Sequence, residues 1–269
     1  MSKVYIVCDI EGVTGVVDFK EQCCEDGKYY AQAVRLATLE LNALVEGVLE
    51  GGAKEVYAWP GHGSFPGGID VELLHPECKL VMHASDGGPV GFDKSFNAMF
   101  LLGLHSMAGS EKGVLSHSFT PFVKNVWLNN TRIGEIGLNI AAFANVGVPT
   151  VFVSGDEEAV WEARGFIPRI QGVTVKWGLE EKFSLGALTV RKATSLAPKK
   201  AQDAIRENAK TAMKKIGQIK QPTFEKPYYF KVEYIEEKYA ELAAKAPGVD
   251  KIGPLTTLQV RERVSDFVI

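Results

Sequence analysis

The sequence predicts an α/β protein: a mostly parallel sheet flanked by helices, with a smaller mixed α+β portion following it. Three observations carry this. Strand-like and helix-like runs alternate through the first half. The first strand, helix and second strand have the spacing of a parallel crossover. Past about residue 170 the alternation loses its regularity, which sets the expected boundary between residues 1–170 and 171–269.

"KVYIVCDI" is an apolar strand. In "YYAQAVRLATLELNALVEGVLEGGA", Val34, Ala37, Leu41, Leu44, Val45 and Val48 recur at helical spacing, and Gly51-Gly52 ends the helix. "KEVYAW" closes the β-α-β unit, and "CKLVMHA" and "NAMFLLGL" are further strands. "PFVKNVWLNNTRIG" is a hairpin turning at Asn129-Asn130-Thr131. "GEIGLNIAAFANVG" is a helix and "PTVFVSGD" a buried strand. Beyond them lie a short helix in "DEEAVWEARG", a strand in "VTVKWG" and a polar helix over 198–216. A proline-punctuated strand in "QPTFEKPYYFKVEY", a helix in "EEKYAELAAKA" and a last strand in "TTLQVRERV" complete the chain. No internal repeat or low-complexity segment interrupts it.

Composition narrows the function. An apolar content of 46% and a charged content of 23% over 269 residues are those of an ordinary globular protein. A net charge of -3 without a basic tract argues against a nucleic-acid partner. No stretch has the roughly 20 apolar residues of a membrane helix. The opening "MSKVYIVCDI" lacks the features of a secretory signal. Cys8, Cys23, Cys24 and Cys78 have no C-x-x-C spacing and read as reduced thiols, so the cytoplasm is the expected location.

The first strand ends in two acids, Asp9 and Glu11, on one face if the strand persists. Such a pair repels unless a cation lies between its members. Alone, it is equally a solvated strand end. His62 follows "VYAW", His105 follows "AMFLLGL" and His117 sits in "GVLSHSF", all just past strand-like runs. Ligands of open α/β sheets bind beyond the carboxyl ends of the strands. Singly, His62 is explained by a glycine-flanked turn, His105 by a core position and His117 by its serine neighbours. Glu135 opens a helix, where an acid is ordinarily only a dipole partner. His75 and His83 read as turn and strand residues. Together, three carboxylates and two imidazoles suit zinc, manganese or iron better than magnesium. A carboxylate shared by two ions makes a dinuclear hydrolytic centre possible.

"DIEGVTG", "GHGS", "GLHSMAG", "GVLSHSF" and "GEIGLN" resemble, in order and spacing over about residues 1–165, the D-aminopeptidase family of the Bacillus dipeptide-transport operon, peptidase family M55. The resemblance implies a dizinc aminopeptidase acting on short peptides with a free N-terminal D-residue. It makes Asp9 the bridging ligand, adds Glu11, His62, His105 and Glu135 as ligands, and gives His117 the catalytic role, described in the family as nucleophile. It also implies a homo-oligomer, a ring-stacked decamer, to which residues 171–269 would contribute. One departure stands out. Family members carry an acid two residues before the first ligand histidine, where this chain has Pro60, so an outer hydrogen-bond acceptor is expected to be missing. The stretch "HASDGGPVGFDKS" also differs from the family's loop. Two alternatives remain open from the residues alone: a dinuclear phosphoesterase or other amidase, and a non-enzymatic, metal-stabilised oligomeric binding protein.

Overall fold

The computed structural model describes residues 2–63, 67–82 and 88–269. Strand β1 (Lys3–Cys8) lies mid-sheet and is almost wholly buried. Helix α1 (Tyr30–Glu50) leads to β2 (Glu55–Pro60), which pairs in parallel with β1, Val4 opposite Val56. Strand β3 (Cys78–Leu80) extends that side in parallel. The chain then crosses to the opposite side of β1, where β4 (Ala98–Leu104) pairs in parallel with it. β1 and β4 therefore flank a topological switch point, the place where an open α/β sheet forms a crevice.

Next come β5 (Leu115–Ser116), the hairpin of β6 (Val123–Leu128) and β7 (Thr131–Ile133), and helix α2 (Glu135–Asn145). Strand β8 (Thr150–Asp156) adds to β4 in parallel and runs into helix α3 (Glu157–Phe166). Asp156 caps that helix, its Oδ1 accepting from the Ala159 amide at 2.8 Å. Strand β9 (Gln171–Leu185) pairs in parallel with β8 and then folds back as β10 (Leu188–Ser195). The large sheet runs β3-β2-β1-β4-β8-β9-β10-β5, parallel through β9 and antiparallel beyond it.

Helix α4 (Pro198–Lys214) packs on α1 so closely that a Cβ on Gly47 would lie 2.3 Å from the Arg206 carbonyl oxygen. A second sheet is antiparallel throughout, in the order β12-β13-β11-β6-β7. It comprises β11 (Tyr228–Tyr234), β12 (Val249–Gly253) and β13 (Thr256–Arg261) together with the early hairpin, and helix α5 (Glu237–Ala243) packs against it.

The expected mostly parallel sheet flanked by helices is present, but the sheet is mixed. Strands β9 and β10, from beyond residue 170, belong to it, while β6 and β7, from before 170, belong to the antiparallel sheet. The outer half of β9 and the short β12 escaped the sequence reading because "EEKFSL" and "VDKIG" hold too few apolar residues to mark a strand. The strand expected in "CKLVMHA" narrows to β3, and His83 lies outside the described residues.

Candidate metal centre

Asp9 and Glu11 follow β1, His105 follows β4, and His62 lies two residues past β2. The ends of β1 and β4 are locked together: the Gly12 amide donates to the Gly103 carbonyl at 2.7 Å. A Cβ on Gly12 would stand 2.1 Å from the Leu104 carbonyl oxygen, so no larger residue fits there. Gly103 has φ +67°, and the register between β4 and β8 shifts from Leu101 to Leu104. This irregularity turns His105 off the strand toward the acids. His117 leaves β5, and Glu135 is the first residue of α2.

These side chains converge. The Asp9 carboxylate faces two histidines at once, with Oδ1 3.3 Å from His62 Nδ1 and Oδ2 3.5 Å from His105 Nε2. Glu11 Oε2 lies 3.0 Å from His62 Nδ1, and Glu135 Oε1 lies 3.3 Å from His105 Nε2. His105 and Glu135 form one potential ligand set with His117, and His105 forms another with Asp9 and Glu11. Asp9, Glu11, His62, His105 and His117 are buried.

The outer ring nitrogens decide the tautomers. His62 Nε2 lies 2.7 Å from the Cys23 carbonyl, His105 Nδ1 3.0 Å from that of Ser106 and His117 Nδ1 2.9 Å from that of Leu115. A carbonyl only accepts, so each of these nitrogens carries a proton and donates it. Burial disfavours charge on His62 and His105, but Glu11 and Glu135 overcome it and push both rings up. In the protein alone their opposite nitrogens are therefore protonated, and a cation would take the place of that proton. His117 keeps its lone pair. Outer carbonyl partners of this kind orient metal-binding histidines. His62 thus has an outer partner despite Pro60: the Cys23 carbonyl, delivered by a π-helical turn at Phe19–Cys23. Asp18 caps that turn, its Oδ1 accepting from the Glu21 amide at 2.9 Å. A single cap does not mark a π-helical turn, and a backbone carbonyl has no residue-type signature, so the sequence reading missed both.

The donor set fits a divalent cation. Among the described residues His105 Nε2 is buried without a hydrogen-bond partner, although two carboxylate oxygens lie within 3.5 Å. A ring nitrogen and carboxylates aimed at one point in a dry site match Lewis-acid ligation, and the mixture of N and O donors matches zinc or its neighbours. In the protein alone, burial and then the Glu11 charge push the Asp9 carboxyl up. Burial opposes ionisation of Glu11 too, but His62 overcomes it and holds Glu11 well below the usual carboxylate range. Two acids this close do not both ionise freely without a cation. Burial, and then the charge on His105, lowers His117 to about 4.

Two residues outside the expected set, the buried Lys176 and the half-buried Glu162, hold the site together. Lys176, fully buried on β9, donates from Nζ to the carbonyls of Glu11 and Val16. Glu162 on α3 accepts from the Met107 amide at 2.7 Å, and its Oε1 would touch a Cβ on Gly134 at 2.9 Å, so it braces the segments carrying His105 and Glu135. A lysine inside the apolar run "VTVKWG" was the available signal for the first, since lysine is almost never buried without partners. His75 stays apart, its Nδ1 accepting from the Glu77 amide at 3.1 Å in a turn.

A family model described as D-aminopeptidase, peptidase family M55, matches residues 2–268. The D-aminopeptidase of Bacillus subtilis (strain 168) is 29% identical over 266 residues, an alignment covering 97% of this chain and 92% of that protein. A solved structure, the Zn-dependent D-aminopeptidase DppA from Bacillus subtilis, described as a self-compartmentalizing protease, superposes with a TM-score of 0.85 at 26% identity. The superposition covers 98% of this chain and 93% of DppA.

Proposed function

Since the chain belongs to the D-aminopeptidase family M55 and is a metal-dependent aminopeptidase, we propose that it releases D-residues from the free N-terminus of short peptides, using two zinc ions bound at the switch-point cluster. The observation that carries the dinuclear reading is the Asp9 carboxylate, with one oxygen turned to His62 and the other to His105. Asp9 would serve both ions, with Glu11 and His62 to hold one and His105 and Glu135 to hold the other. Zinc held there supplies Lewis acidity toward the scissile carbonyl and the attacking water.

The chain's own groups do the rest. His62 and His105 are fixed by their outer carbonyl partners, so their ligating nitrogens are oriented before substrate arrives. The Phe119 amide donates to Glu135 Oε1 at 2.7 Å and holds that carboxylate in place. His117 is neutral near pH 7 because burial disfavours its charged form. Its Nε2 can therefore take a proton from the attacking group and return it to the leaving amine. The family's description of this histidine as nucleophile would use the same lone pair. The protein is also proposed to form a homo-oligomer, with a decamer as its size and the cytoplasm as its location. Among the described residues, no helix is long and apolar enough to cross a membrane.

The test is free-amine release from matched D- and L-alanyl peptides by protein that has been metal-stripped and then zinc-loaded. Zinc-dependent release from the D-series alone is the expected result. Release from the L-series would keep the metal site and remove the D-preference. No release from either, with two zinc ions bound, would overturn the aminopeptidase chemistry proposed for this site.

A further inference from the structure

A cavity of about 550 Å³ opens beside Asp9 and Glu135, a volume in the range of small-ligand sites. Leu104, Leu138 and Phe119 line it. Phe267, Val268 and Ile269 line it as well, although they lie far along the chain from every other part of the site. Four contacts seat this segment. The Gln259 side chain on β13 grips the Val268 backbone twice, Nε2 donating to its carbonyl at 2.7 Å and Oε1 accepting from its amide at 3.2 Å. Phe267 stacks on Phe230 at 4.5 Å between centroids and meets Phe119 edge-on at 5.6 Å. Phe119 in turn holds Glu135 through its amide. Arg261 Nε also donates to Oε1, at 3.0 Å, and so fixes the orientation of the buried amide. The amide then acts as a locating device, because misplacing the segment would leave Nε2 without its Val268 acceptor in the interior.

We propose that the segment Phe267–Ile269, located by Gln259, is the size-selecting wall of the substrate cavity and disfavours peptides that place a large side chain there. This rests on the aminopeptidase reading of the adjoining metal centre. The wall is apolar, so it accepts small aliphatic side chains such as that of alanine and meets larger ones with its own side chains. Phe267 is buried and structural, but Val268 and Ile269 are 42% and 43% exposed, so changing either leaves the core intact. Phe267 anchors the wall in the core, and Val268 and Ile269 extend it without core packing.

The experiment measures kcat/KM of the zinc-loaded protein for D-alanyl-D-alanine, D-phenylalanyl-D-alanine and D-alanyl-D-phenylalanine, in wild type, Ile269→Gly, Ile269→Trp and Gln259→Leu. Removing side-chain bulk should raise one phenylalanyl substrate relative to D-alanyl-D-alanine by at least about tenfold, the scale for a single methylene in an apolar pocket, since Ile269→Gly removes four carbons. Ile269→Trp should move the same ratio downward, and Gln259→Leu upward. A merely structural role would shift all three substrates in parallel. Ratios constant within about twofold across all four proteins overturn the wall. Calorimetric titration with free D-alanine and D-phenylalanine reads the same selection without turnover. If wild type hydrolyses none of the dipeptides, the functional reading fails, and the titrations alone uphold or overturn the wall.

Discussion

The imidazoles of His105 and His117 lie face to face, their centroids 3.8 Å apart and their planes 15° from parallel. Two stacked rings cannot both carry charge cheaply, and burial with the charge on His105 keeps His117 neutral down to about 4. The stack therefore separates the rings by task. His105 presents Nε2 to Asp9 and Glu135, while His117 remains an uncharged proton acceptor.

Replacing His117 with alanine should lower kcat by about 10²–10⁴-fold, the range for a lost general base. Bound zinc, counted by atomic absorption, should stay at the wild-type value. Loss of one equivalent instead would place His117 among the ligands, beside the His105 and Glu135 atoms it already adjoins.

Asp9→Asn tests the shared carboxylate. One amide nitrogen would face either His62 or His105, and an N–H₂ donates where a ligand must accept. Zinc affinity should fall by more than the roughly 100-fold lost with an outer-shell partner. In wild type, zinc at a hundredfold excess over its Kd should stabilise the fold by about 2.7 kcal/mol, and in Asp9→Asn by far less. Thermal melts with and without zinc measure the difference. Equal shifts in both proteins would remove Asp9 from the ligand set.

Much of this site was legible in the sequence because strand ends of a parallel sheet share one edge. Asp9, His62 and His105 announce themselves by following β1, β2 and β4. Glu135 and His117 needed more, since a helix start and a two-residue strand are weak signals. What stayed hidden is carried by backbone. The Cys23 carbonyl that orients His62 has no residue-type signature, and Pro60 pointed instead to a missing partner. The hidden parts of the fold have the same origin. β10 joins the sheet by pairing with residues 176–185 of β9, and β5 by pairing with β10, and pairing partners cannot be read from local periodicity.

Lys176→Met should destabilise the protein and weaken zinc binding together. The lysine is fully buried, and its ammonium serves the carbonyls of Glu11 and Val16. Methionine preserves much of the volume but leaves both carbonyls without that donor, at about 1–3 kcal/mol for each buried group. The Glu11 end of the loop loses its anchor at the same time. Denaturant midpoints and zinc titrations on the purified variant read the two effects. Lower stability with unchanged zinc affinity would confine Lys176 to packing.

Glu40 supplies a pH dependence with a defined sign. It lies inside α1, with Oε1 accepting from the Thr14 amide at 3.0 Å and Oε2 buried with no partner among the described residues. Burial pushes its carboxyl from the ordinary 4.5 up to about 7. The folded protein thus keeps a proton that the unfolded chain releases above about 4.5. Its contribution is fully present below 4.5 and is lost as pH rises to about 7, because in that window the folded state binds more protons. Over the whole interval the loss is about 3 kcal/mol. Glu40→Gln mimics the protonated form and cannot titrate, while its carbonyl still accepts from Thr14. The variant should therefore match wild type near pH 4.5 and exceed it by about 1–3 kcal/mol near pH 8. Urea denaturation at the two pH values checks this. A stability difference that does not change with pH would show that Glu40 is ionised in the fold throughout, with Lys176 as the nearby positive charge that makes this possible.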